Sequence, residues 1–128
     1  MRVALADALD RKAFVQQILQ GQGRPAETFI PQGMNGYAPE LAAVQRFDVP
    51  QARATLASSG VTAAELSGLR FSYDGSSDFG KATATFVRDQ LKANLGVTIT
   101  LDPLDANALG SKLSSGGFDM AGPVGWTA

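Results

Sequence analysis

The residues able to do chemistry are few, and most fall in the second half of the chain. Asp102 and Asp105 form a carboxylate pair of the kind that holds Mg²⁺ or shares acid–base work. Ser111-Lys112, with Ser115 nearby, places a hydroxyl beside a lysine, the raw material of a Ser–Lys nucleophile. Asp74-Gly75-Ser76-Ser77, ahead of a predicted helix, offers backbone amides and hydroxyls to an anion. Trp126, preceded by Gly125, offers a broad flat surface to a ligand. The chain has no histidine and no cysteine. Zinc sites of the Cys/His kind, haem on a His or Cys ligand, iron–sulfur clusters and every scheme built on imidazole or thiolate are therefore excluded.

Each candidate also has a plainer use. Asp105 stands where a helix needs a cap, and Asp102 precedes a Pro turn. Adjacent helical residues point about 100° apart, so Ser111 and Lys112 do not share a face. The Asp74–Ser77 segment is not a P-loop, because no Gly-Lys-Ser/Thr follows and Lys81 falls inside the helix. A turn leading to a capping Asp78 accounts for it equally well. Trp126 can serve a core as well as a ligand. No catalytic residue, metal or cofactor is expected. The candidate ligand contacts are Trp126, Gly125, Asp74, Gly75, Ser76 and Leu104.

Those residues must be held by elements. Residues 3–20 read as helix, with Leu5, Leu9 and Ala13 on one row and Phe14, Val15, Ile18 and Leu19 on the next patch. Asp10 is placed to restart and bend it by accepting from the amides of Lys12 or Ala13. Gly21 and Gly23 stop it. Residues 24–47 read as an ordered loop rich in Pro and Gly, with Thr28-Phe29-Ile30 a short extended piece. Asp48 caps a helix that carries Ala52, Leu56 and Ala57 on one face and ends before Gly60. One helical turn is expected at Ala63–Leu66.

Beyond it the pattern sharpens. Leu69–Tyr73 alternates as a strand should. Asp78 opens a helix with Phe79, Ala82, Phe86, Val87, Leu91 and Leu95 as its apolar face and Gly96 past its end. Val97–Leu101 alternates again, and Pro103 is expected to end that strand. Asp105 caps a short helix bearing Ala108, Leu109 and Leu113. Ser114–Gly117 turns the chain, and Phe118–Val124 forms a third strand. The order β-α-β-α-β with short connections predicts an α/β fold: a small parallel or mixed sheet with helices on both faces. In such sheets ligands meet the carboxyl ends of the strands, which is where the candidate contacts fall.

Composition bounds the rest. The 128 residues are 45% apolar and 18% charged, which favours a folded chain over a disordered one. Eleven basic residues face twelve acidic ones, so no basic excess exists for nucleic acid. No run of 18 apolar residues spans a membrane. The start lacks a secretion signal, and the apolar, aromatic end reads as abrupt, so the chain is expected to be a piece of a larger protein.

Several stretches carry a resemblance. Arg2-Val3-Ala4-Leu5-Ala6-Asp7-Ala8-Leu9-Asp10-Arg11 is similar to V-R-x-A-L-x-x-A-I-D-R. The loop from Pro25 to Tyr37 is similar to P-A-x-x-x-I-P-P-G-x-x-G-Y. Phe47-Asp48 with Ala52–Gly60 is similar to Y-D-P-x-K-A-K-x-L-L-x-x-A-G. Residues 84–104 resemble A-x-x-x-Q-x-x-L-x-x-x-G-I-x-V, and Ser115–Met120 with Gly125-Trp126 resembles S-G-D-F-D followed by G-W. Together, in this order, they resemble the extracellular solute-binding proteins of family 5, which serve ABC importers of peptides, dipeptides and nickel.

The resemblance implies one α/β lobe, residues 1–128, of a two-lobed clamshell of the periplasmic-binding-protein type II kind. It implies a peptide or similar small solute bound between the lobes and delivered to a membrane permease. The partners are then that solute, the permease and a first lobe of the same chain, in a periplasmic or extracellular, membrane-associated setting. It also implies that the Gly125-Trp126 segment borders the cleft, and that an Asp shortly after the Trp pairs with a peptide's α-amino group. The rival readings are a stand-alone α/β regulatory or protein–protein interaction module, and an enzyme using the carboxylates or the Ser–Lys pair.

Overall fold

Side-chain caps set the start of most helices. A computed structural model describes residues 1–26, 28, 30, 32–44 and 46–123. They fall into two compact units, residues 1–61 and 62–128.

In the first unit the predicted long helix is two helices, α1 (Arg2–Asp7) and α2 (Arg11–Gln17). The break is where Asp10 sits: its Oδ1 accepts from the Ala13 amide at 2.9 Å, so Asp10 caps α2. The chain leaves α2 through left-handed backbone at Gln20 and Gly21 (φ 52° and 79°). Thr28 and Ile30 lie in bends and not in the extended piece expected there, because the Thr28 hydroxyl donates to the Ile30 carbonyl and curls the segment. Phe29 lies outside the described residues. A 3-10 turn spans Pro39–Val44.

The third helix, α3 (Val49–Ser58), is capped by Asp48, which accepts from the Gln51 amide at 2.9 Å, with Pro50 in its first turn. The Asp48 amide in turn donates to the Asp7 carbonyl at 2.9 Å, which fixes the start of α3 to the end of α1. Ala4, Ala8, Ala52 and Leu56 are buried where small side chains let helices approach closely. Ala57 is exposed, so the expected face narrows to Ala52 and Leu56.

The second unit begins with α4 (Ala63–Leu66), closed by a reciprocal capping box between Thr62 and Glu65. Then follow β1 (Arg70–Asp74), α5 (Asp78–Leu95), β2 (Thr100–Leu104), α6 (Ala106–Ser115) and β3 (Met120–Ala121). The sheet is parallel in the order β2-β1-β3. From β1 to β2 the crossover runs one way and from β2 to β3 it runs back, so right-handed connections place α5 and α6 on opposite faces.

Side chains bear this out. Tyr73 lies beside Gly80 of α5, and Asp102 on the other face is held by Lys112 of α6. Phe71, Ser72 and Tyr73 are consequently all buried, and the alternation expected of β1 is absent.

The bounds of α5, β2 and β3, and the buried face of α5, differ from expectation. Ser77, not Asp78, caps α5, its hydroxyl accepting from the Gly80 amide at 3.1 Å; Asp78 becomes the first helical residue. Phe79 is exposed, and the helix buries Gly80, Thr83, Ala84, Phe86, Leu91 and Leu95. The second strand starts later and contains Pro103 without ending there, a position tolerated because β2 lies at an edge of the described sheet. The third strand covers only Met120–Ala121, with Gly122 donating to the Ser72 carbonyl; Val124 lies outside the described residues.

Candidate functional site

The carboxyl ends of β1 and β2 come together because the strands are paired in register, with Asp74 opposite Leu104. One residue on, the Gly75 amide donates to the Leu104 carbonyl at 2.8 Å. A Cβ at Gly75 would lie 2.8 Å from the Pro103 Cβ, so this approach requires glycine. Asp74 Oδ1 accepts from the Ser76 amide at 2.9 Å and from the Ser76 hydroxyl at 2.6 Å, closing an Asx turn. Those two bonds, the hydroxyl's first, hold the Asp74 carboxyl below its ordinary range. Asp74, Gly75, Ser76 and Leu104 thus form one rim.

This rim is a poor anion cradle. Ser76 spends its hydroxyl and amide on Asp74, Ser77 caps Gly80, and an ionised carboxylate occupies the mouth of the turn. The other two predicted contacts, Gly125 and Trp126, lie outside the described residues.

Neither catalytic candidate assembles. Asp105 Oδ1 accepts from the Ala108 amide at 2.9 Å as the cap of α6. Asp102 is buried and fully engaged elsewhere. Lys112 Nζ donates to its Oδ2 at 2.6 Å, Arg70 to its Oδ1 at 2.7 Å, and the buried Ser72 hydroxyl to Oδ2 at 2.8 Å. These bonds, that from Lys112 foremost, hold the Asp102 carboxyl well below its ordinary range against the opposing effect of burial. A carboxylate so held is no general base. Lys112 is turned to Asp102 while Ser111 is exposed, so the Ser–Lys pair does not form. Among the described residues no three His, Cys, Asp or Glu side chains gather as metal ligands.

The Asp102 cluster went unread in the sequence, since its partners stand 32, 30 and 10 residues away. A signal existed. Once two parallel strands are aligned, Ser72 falls opposite Asp102. Asp119, just before β3, accepts from the Arg70 amide at 2.9 Å and secures the start of β1.

Residues 1–128 match the family described as bacterial extracellular solute-binding proteins, family 5 Middle. The chain belongs to that family. This family 5 chain is 30% identical, over 98% of its length, to the oligopeptide-binding protein OppA of Bacillus subtilis (strain 168), of which it covers 24%. Among solved structures it resembles OppA of Burkholderia pseudomallei at 27% identity and a TM-score of 0.83, over 99% of this chain and 26% of that one. It also resembles AgaA of A. tumefaciens R10, solved in complex with agropinic acid, at 30% identity and a TM-score of 0.79, over 94% of this chain and 24% of that one.

The α/β fold is therefore that of these binding proteins, and the chain spans about a quarter of their length. Family 5 proteins are extracellular binding proteins and not enzymes. No helix among the described residues is long and apolar enough to cross a membrane.

Proposed function

We propose that this chain is part of the substrate-binding component of an ABC importer. It takes a peptide or similar small solute between two lobes and presents it to a membrane permease. The observation that carries this reading is the family match along all 128 residues, joined to an oligopeptide-binding relative over 98% of the chain. AgaA was solved with agropinic acid, so the solute class is kept wider than peptides.

In this reading residues 1–128 belong to the second lobe, and the first lobe comes from the same, longer polypeptide. Its setting is periplasmic or extracellular, associated with the membrane through the permease; nucleic acid has no part. The rim gives the solute three things. Leu104 gives apolar contact, and the carbonyl groups around Gly75, whose neighbouring amides are bonded within the turn, orient the solute. The Asp74 carboxylate gives a negative charge that favours the N–H groups of a solute over its carboxylates. Gly125 and Trp126, which lie outside the described residues, belong to this reading on the sequence resemblance alone, as an apolar contact for the solute. Closure of two lobes stabilises the bound state by the difference in affinity between closed and open forms.

The test is titration of the longer protein with short peptides by calorimetry. One-to-one binding at micromolar affinity or tighter is expected, with a loss of at least about tenfold for Trp126→Ala. Absence of binding to any peptide or small solute, or an unchanged affinity in Trp126→Ala, overturns the reading.

A further inference from the structure

The first unit contains a cavity of about 360 Å³ that plays no part in the rim. Its walls include Lys12 from the first turn of α2, and Arg24, Thr28, Gln32 and Tyr37 from the loop that follows. That volume is at the small end of ligand pockets and suits a molecule of a few carbons. Two cations line it, and among the described residues no carboxylate does. Asp10, two residues before Lys12, turns its Oδ1 to the Ala13 amide as a cap, and Glu27, between the lining residues Ala26 and Thr28, lies outside the described residues.

The donors are only partly spent. Arg24 makes one long bond, from a terminal guanidinium nitrogen to the Gln32 carbonyl at 3.4 Å. A guanidinium has five N–H donors in a planar fork, so most of them remain to meet a carboxylate in bidentate fashion. That one bond also ties the fork to the far side of the loop, which limits the side-chain entropy lost on binding. Lys12 has no ion-pair partner among the described residues. Tyr37 is half-buried and supplies an apolar ring with a hydroxyl at its tip. Thr28 donates its own hydroxyl to Ile30, so it meets a ligand as an acceptor only.

We propose that this cavity, between the start of α2 and the loop bearing Arg24 and Tyr37, binds the carboxylate of a small organic acid. Arg24 receives the carboxylate through its fork, Lys12 adds a second charge, and Tyr37 covers the carbon chain. The site is independent of the importer reading, and neither falls with the other.

The test follows backbone amide shifts of this chain by NMR during titration with succinate, its neutral diamide succinamide, and inorganic phosphate. Succinate is expected to move resonances confined to Lys12, the 24–28 segment and the 32–37 segment, with a dissociation constant of about 1 mM. Succinamide is expected to move none. Lys12→Met with Arg24→Met is expected to weaken binding at least about tenfold. Both residues are exposed, so the spectrum of the double variant should keep its dispersion. Arg24→Lys is expected to retain part of the affinity, because it keeps the charge and loses the fork. No shift up to about 10 mM succinate, shifts scattered over the chain, equal shifts with succinamide, or undiminished binding in the double variant each overturn the proposal. Phosphate binding tighter than succinate overturns the assignment to carboxylates.

Discussion

Asp102 links the sheet of the second unit to α6 as a carboxylate. Its oxygens receive Lys112, Arg70 and Ser72, and the three bonds differ in value. The Arg70 side chain is 57% exposed, so water screens that pair and it contributes under about 1 kcal/mol. Lys112 is 26% exposed and Ser72 is fully buried, so those two partners lose more when the carboxylate goes. Asp102→Ala should cost about 2–3 kcal/mol in denaturant unfolding. Lys112→Met should cost less, since Arg70 and Ser72 still satisfy the carboxylate. The pH dependence has a definite sign. The folded-state pKa of Asp102 lies below its unfolded value, so its contribution is whole above about pH 4 and fades as pH falls below that. Melting temperatures taken between about pH 6 and pH 3 should therefore fall less steeply in Asp102→Asn than in the parent. Equal slopes would mean that the cluster does not hold the carboxylate charged.

Two glycines, each in a helix of the second unit, should answer the same substitution in opposite ways. A Cβ at Gly80 of α5 would stand 2.7 Å from the Asp74 carbonyl oxygen, which is backbone and cannot swing aside. Gly80→Ala gains about 1 kcal/mol of helix propensity and meets an overpacking cost of about 1–3 kcal/mol, so a net loss of about 1 kcal/mol is expected. Gly110 of α6 has nothing within 4 Å of the same position, and Gly110→Ala should stabilise by about 0.5–1 kcal/mol. Thermal unfolding of both variants checks the pair, and a Gly80→Ala protein as stable as its parent would show that α5 has room to shift. Elements of this kind were legible in the sequence where one local signal decides them. Asp10, Asp48 and Asp105 each cap the helix predicted to follow, and Gly96 ends α5 in left-handed backbone as its position implies. Errors arose where tertiary placement overrode the local pattern. Burial on both faces erased the alternation of β1, and an edge position let Pro103 stay inside β2. That Asp74, Gly75 and Leu104 lie together was legible because paired parallel strands bring their carboxyl ends to one edge. The Asp102 cluster and the Arg24 cavity were not, since both form between residues that folding alone brings close.

At the scale of the molecule, the chain spans about a quarter of the relatives it matches, and that fraction bears on affinity. A solute enclosed between two lobes loses its water on all sides and gains contacts from both. One rim offers only part of those contacts while association costs about as much translational and rotational freedom. The residue that gives the rim its charge, Asp74, is exposed enough to keep its hydration, so its attraction to a solute is screened. A calorimetric titration of residues 1–128 alone with short peptides should accordingly give no affinity as tight as micromolar, in contrast to the longer protein. Any weak heat that remains should be examined with amidated peptides. If it tracks the peptide's free carboxylate and disappears with Lys12→Met and Arg24→Met, it belongs to the cavity of the first unit and not to the rim. Micromolar binding by these 128 residues, insensitive to that double variant, would mean that the rim is a complete site and that the first lobe is not needed to hold the solute.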